Sequence, residues 1–214
     1  MNRFVVGMAG LLLLACGGPG GSGPGASGPP SAQSVAGGES DFAGLTRCTD
    51  SGSWEDYLKA EQQSDPSSYE EDKAQWDKIK AAGAEEGYVA DYAQNQSDCG
   101  GLTSDVEPTG KVVYVFVIRF KDESSAKANF KDNAKDFHLS DSDVADARAA
   151  GATVAQGSAT GLGDNSIEAY GSVLSTSFFF GFWQNKTFEA GVITFNEPSS
   201  DSLTRTKNVN GRIR

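Results

Sequence analysis

Residues 111–121, KVVYVFVIRFK, run from lysine to lysine through β-branched and aromatic side chains with no polar break before Arg119. Such a strand has no face left for water, so it belongs near the centre of a sheet covered on both sides. The same demand returns at 175–183. There Phe178, Phe180 and Phe182 point one way, and Phe179, Gly181 and Trp183 the other. With 167–173 before it and 187–196 after it, joined through Gln184-Asn185-Lys186, this stretch predicts three consecutive antiparallel strands. A second layer of helices or sheet has to cover them.

Helices are available to do so. Ser64-Asp65-Pro66-Ser67-Ser68-Tyr69-Glu70 carries helix-start chemistry, and Tyr69, Lys73, Trp76, Ile79 and Lys80 follow at steps of three and four until Gly83. Tyr88, Val89 and Tyr92 predict a second helical stretch toward Cys99, and Trp54, Tyr57 and Leu58 a short helical turn before the first. Residues 122–137 place Ala126, Phe130, Ala134 and Phe137 at helical spacing, 141–150 can add a short helix, and Gly161-Leu162-Gly163-Asp164 marks a turn into the strands. Pro198-Ser199-Ser200-Asp201 opens a last helix with Leu203, Thr206, Val209 and Ile213 as its stripe. The fold class is therefore α+β: a mainly antiparallel sheet of about four or five strands packed with helices, a helical N-terminal section and a C-terminal helix.

The N-terminal forty residues are of another kind. Arg3 is followed by an apolar stretch from Phe4 to Ala15 and then Cys16. Twelve helical residues span about 18 Å, too short for a bilayer core of roughly 30 Å, so this is a signal-peptide layout over 1–15. Residues 16–40 hold one charged side chain and no aromatic one, which predicts a flexible Gly/Pro/Ser tether, with a single globular domain over 41–214. The segment Leu13-Leu14-Ala15-Cys16 resembles the lipobox of bacterial lipoproteins. That resemblance implies a mature chain that begins at a lipidated Cys16, held at the surface of a cell membrane or outer membrane on the extracytoplasmic side. The alternative is an ordinary secretory signal with an incidental cysteine. Cys48 and Cys99 then remain as an even pair, read as one structural disulfide; they form no C-x-x-C redox motif.

Eighteen basic against 29 acidic residues give a formal charge of −11, which excludes a basic nucleic-acid binder. Catalytic patterns are scarce. His138 is the single histidine, so a histidine-rich metal site is excluded, and at a helix end it is read as a cap. Ser124-Ser125-Ala126-Lys127 matches the S-x-x-K motif of penicillin-binding proteins, but Lys186-Thr187-Phe188 has phenylalanine where that pattern needs glycine. Asp141, Asp143 and Asp146 lack the glycine and glutamate of a calcium loop, so no metal and no cofactor are expected. The acidic residues of 55–77 are read as a solvated helix face, and no catalytic residue is assigned.

The layout resembles uncharacterised exported bacterial domains, some of them sensor-like. The expectation is a non-enzymatic binding or sensor-like lipoprotein whose partners are the membrane, through Cys16, and a protein or envelope ligand. Its aromatic strands suggest a binding surface at Phe178, Phe180, Phe182, Trp183 and Phe188. The alternative is a small exported hydrolase of cell-envelope polymers using paired carboxylates, which requires two acidic side chains to converge in a cleft.

Overall fold

The structure is a computed structural model that describes residues 28–64, 66–99, 108–137, 140–173 and 176–214. In chain order the elements are α1 (Ala32–Ala36), β1 (Thr46–Arg47), β2 (Gly52–Ser53), α2 (Trp54–Ser64), α3 (Pro66–Ala81), β3 (Ala84–Ala93) and β4 (Val112–Phe120). Then come α4 (Glu123–Phe137), α5 (Asp141–Ala149), β5 (Thr153–Gln156), β6 (Ser166–Val173), β7 (Thr176–Asn185), β8 (Phe188–Phe195) and α6 (Ser199–Arg212). The strands form one sheet in the order β1-β3-β4-β8-β7-β6-β5, with β2 also paired to β3, and every pairing is antiparallel.

The α+β class and the antiparallel sheet stand, but the sheet has eight strands rather than four or five. Two of the extra strands are two residues long and one is four, too short to leave a periodic signal. The other is β3, which replaces the helix expected at Tyr88, Val89 and Tyr92. Both of its faces are buried, so alternation of apolar and polar residues, the usual mark of a strand, is missing there. β4 lies inside the sheet as expected, with Tyr114 opposite Asp91 of β3 on one side and Ile193 of β8 on the other.

Alternate residues of the central strands meet different layers. Tyr88, Ala90 and Tyr92 of β3, Val113, Val115 and Val117 of β4, Phe188, Ala190 and Val192 of β8, and Phe179 and Trp183 of β7 share one core with α1 and with Val209 and Ile213 at the α6 end. Val89, Tyr114, Ile118, Phe120 and Ile193 face the other way, onto Trp54, Tyr57, Leu58, Trp76 and Ile79 of α2 and α3 and Ala126 of α4. Gly87 permits this second layer to settle closely, because a Cβ there would come within 3.0 Å of Trp54 Cβ and of Trp76 Cη2.

The folded region begins earlier than residue 41. Ser31 caps α1 by accepting a hydrogen bond from Ser34 N, and Ala32, Val35 and Ala36 are buried against β3 and β4. Arg205 of α6 donates to both carboxylate oxygens of Glu197 and to Asp41 O, and its guanidinium lies over Phe42. Arg212 pairs with Asp41 and donates to Val35 O. Small apolar residues in a Gly- and Ser-rich context read as tether, but three of them fit a gap beside the sheet. Residues 1–27, where the sequence predicts the signal segment, the lipidated Cys16 and the first part of the tether, lie outside the described residues, as does His138. Among the described residues no helix is long and apolar enough to cross a membrane.

Candidate functional site

The layer of α2 and α3 buries acids as well as aromatics. Tyr57 is one helical turn before Glu61 on α2, and its hydroxyl donates to Glu61 Oε1 at 3.0 Å and also meets Asp72 Oδ2 of α3 at very short range. A phenol carries one hydrogen, so one of these two contacts needs a proton on a carboxyl group. Burial lifts Asp72 to about 7, so its carboxyl group can hold that proton below neutral pH. Glu61 and Asp72 are 4% and 2% exposed.

Two further aspartates join them from the sheet side. Asp91 of β3 is 2% exposed and Asp50, in the turn between β1 and β2, is 4%. The turn is fixed to β3 by backbone contacts: Cys48 N donates to Asp91 O at 2.9 Å, while Ser51 Oγ donates to Asp91 O and accepts from Asp91 N, both at 2.9 Å. Arg47 holds the same turn through Ser51 O at 2.8 Å. Cys48 is joined to Cys99 in a disulfide, which ties the turn to the end of β3. The Cys48 sulfur and one oxygen each of Asp50 and Asp91 all lie within 4.8 Å of one another.

Tyr114 stands in the middle. It is the direct cross-strand neighbour of Asp91, is 1% exposed, and has a hydroxyl with no hydrogen-bond partner. Burial, and then the charges of Asp91, Asp50, Asp72 and Glu61, push that hydroxyl well above the usual phenol range. Asp50 is also raised, chiefly by burial. Among the described residues neither Asp50 nor Asp72 takes part in an ion pair: Lys73 and Lys80 pair with Asp77 on the outer side of α3, and Arg47 is engaged with Ser51 O and Tyr88.

A second buried acid is built differently. Glu189 of β8 is fully buried, and Asn129 Nδ2 of α4 reaches its two oxygens at 3.0 and 3.1 Å. Burial raises Glu189 to about 8, while hydrogen bonds from Asn129 and Asn133 oppose the shift in part. It is a single buried acid held by two amides, Asn129 and Asn133.

The residues singled out from the sequence are distributed otherwise. Of the aromatic surface, Phe182, Trp183 and Phe188 are 3%, 0% and 0% exposed, and Phe178 and Phe180 are half-buried. Phe182 stacks on Phe130 of α4 and Trp183 is in the core under α6, so helices on both faces remove the patch that exposure would have created. Lys127 of the S-x-x-K match pairs with Glu123 on the outside of α4, and Ser124 and Ser125 bond to the capping Asp122. Asp146 is exposed. The acidic residues of 55–77 divide, with Glu70, Glu71 and Asp77 in water and Glu61 and Asp72 inside, so the expectation of a wholly solvated face is corrected.

Compared with protein-family models, with curated proteins and with solved structures, the chain matches none of them. The reading of its function therefore rests on its own residues.

Proposed function

We propose that the chain is an extracytoplasmic lipoprotein, held at a membrane through Cys16, whose folded part is a non-enzymatic binding or sensor-like domain. The observation that carries this reading is the run Leu13-Leu14-Ala15-Cys16 behind an apolar segment too short to span a bilayer. The Cys48–Cys99 disulfide supports it, since such bonds persist in oxidising compartments outside the cytoplasm. The alternative hydrolase needs carboxylates that a polymer can reach. Those that converge, Glu61 with Asp72 and Asp50 with Asp91, are all 4% exposed or less beneath α2, α3 and the disulfide-tied turn. A glycan strand would have to displace those elements to lie between them.

The test is expression of the full chain in a bacterial host fed labelled palmitate. Label should enter the wild-type chain, disappear in Cys16→Ser, and accompany a folded part that external protease can reach in intact spheroplasts or cells. A wild-type chain that takes no label and stays in the soluble fraction would overturn the anchored reading.

A further inference from the structure

The buried acids ask for a counter-charge that no described side chain gives to Asp50 or Asp72 through an ion pair. The charges that act on the Tyr114 hydroxyl come from Glu61 of α2, Asp72 of α3, Asp50 of the β1–β2 turn and Asp91 of β3. An ionised carboxylate taken out of water costs several kcal/mol unless it is paired, protonated or bound to a metal. Protons suffice for Asp72, whose carboxyl shares the Tyr57 hydroxyl. For Asp50, one of whose oxygens lies within 4.8 Å of an oxygen of Asp91, the geometry offers another answer.

We propose that Asp50 and Asp91, with the Tyr114 hydroxyl beside them, form a binding site for a hard divalent cation, and that the ion is calcium. Two oxygens each about 2.4 Å from one calcium ion are at most about 4.8 Å apart. The Asp50 and Asp91 oxygens meet that limit. The third atom of the group, the Cys48 sulfur, is locked in a disulfide and offers no thiolate, which removes the donor that would favour zinc or copper. What is left is oxygen only. An irregular set of protein oxygens suits calcium, whereas magnesium demands near-octahedral geometry and keeps several waters.

A second observation points into the same space. Tyr114 is the direct cross-strand neighbour of Asp91, and its buried hydroxyl has no hydrogen-bond partner among the described residues, although a phenol is normally bonded when it leaves water. A bound cation, directly or through one of its waters, supplies that partner. The site is also held in advance of the ion, because Ser51 and Cys48 fix the Asp50 turn to the Asp91 backbone and the disulfide fixes Cys48. Little ordering is left for the ion to cause. This inference deepens the binding-domain reading and rests on it only in drawing calcium from outside the cell; labelling of Cys16 and binding of calcium are independent readouts, so either can fail alone.

The experiment uses the full-length chain, treated with chelator and then titrated with calcium chloride and separately with magnesium chloride, by calorimetry and by thermal unfolding. Saturable binding of one calcium, a concentration-dependent rise in Tm, and at least tenfold weaker magnesium binding are expected. Asp50→Asn and Asp91→Asn should each weaken calcium at least tenfold; Asp50→Asn, which changes a turn rather than a central pairing, keeps the test decisive should Asp91→Asn fail to fold. No heat and no Tm shift at millimolar calcium, in the wild-type chain, would overturn the proposal and leave protons as the sole counter-charge. Calcium binding of unchanged strength in a folded Asp50→Asn chain would overturn it equally, by placing the ion elsewhere.

Discussion

One sheet faces two different interiors. Under α1 and α6, the buried acids face basic groups, Glu197 with Arg205 and Glu168 with Lys207, and Thr194 bonds Ser202 while Thr206 donates to Ser202 O. Of these groups and Trp183 Nε1, the indole alone has no hydrogen-bond partner among the described residues. Under α2, α3 and α4, Asp50, Asp72 and Glu189 enter with no basic partner among the described residues. The difference lies between sequence neighbours, since Tyr92 and Asp91, or Phe188 and Glu189, point to opposite sides of the same strand. On the α1/α6 side a basic side chain offsets the burial of each of these acids. The other side accepts a standing cost, which burial of carboxyl groups imposes and which a proton or a cation relieves.

The sharpest way to break the contrast is to cut into each side and vary pH. Trp183→Ala, on the α6 side, should cost about 3 to 5 kcal/mol by urea denaturation, and by the same amount at pH 5 and pH 8. A loss that changed steeply with pH would mean that the two interiors are not separate.

Glu189→Gln should act the other way. The folded acid is raised to about 8 from 4.5, so the native state holds the proton more tightly than the unfolded chain. Its favourable contribution is complete below about pH 4.5 and is lost as pH climbs toward 8; at pH 7 the loss amounts to about 3 kcal/mol. Asp72, raised from 3.8 to about 7, has the same sign over a lower window. Wild-type stability should therefore fall between pH 4.5 and 8, and Glu189→Gln should flatten that fall. An unchanged slope would remove Glu189 as its source.

A smaller effect is expected from Gly87→Ala. Its Cβ would press on Trp54 and Trp76, and over-packing of this kind costs about 1 to 3 kcal/mol. The change should be visible as a lower urea midpoint, and it should be accompanied by altered tryptophan fluorescence, because the stacked Trp54–Trp76 pair is what moves. Equal stability with unchanged fluorescence would show that the second layer is less tightly seated than its geometry indicates.

How much of this was readable beforehand follows from what periodicity records. β4, the meander from β6 to β8, α3, α4 and α6 carry strong patterns and lie where those patterns put them, within a few residues. The Cys48–Cys99 pairing followed from an even count. β3 was misread because a strand buried on both faces, with Tyr88, Val89 and Tyr92 at mixed spacing, mimics a helix. α1 was hidden because Ala32, Val35 and Ala36 look like tether until a neighbouring surface is known. The acids were the more instructive omission. Asp72 is three residues after Tyr69 and four before Trp76, and Glu61 is four after Tyr57 and three after Leu58, so each sits inside an apolar stripe. Asp91 and Glu189 interrupt strands that are otherwise buried. A carboxylate at a core position was thus visible one residue at a time. Their convergence on Tyr114 was not, because it joins two helices, a turn and two strands.

The most direct measurement is a crystal structure of the chain grown in calcium, with anomalous data collected to identify the ion. One calcium bonded at about 2.3 to 2.6 Å to carboxylate oxygens of both Asp50 and Asp91 is expected, with the Tyr114 hydroxyl satisfied by the ion or by its water. Ordered density in which Asp50 and Asp91 share a proton or an ordinary water, with no ion between them, would contradict it.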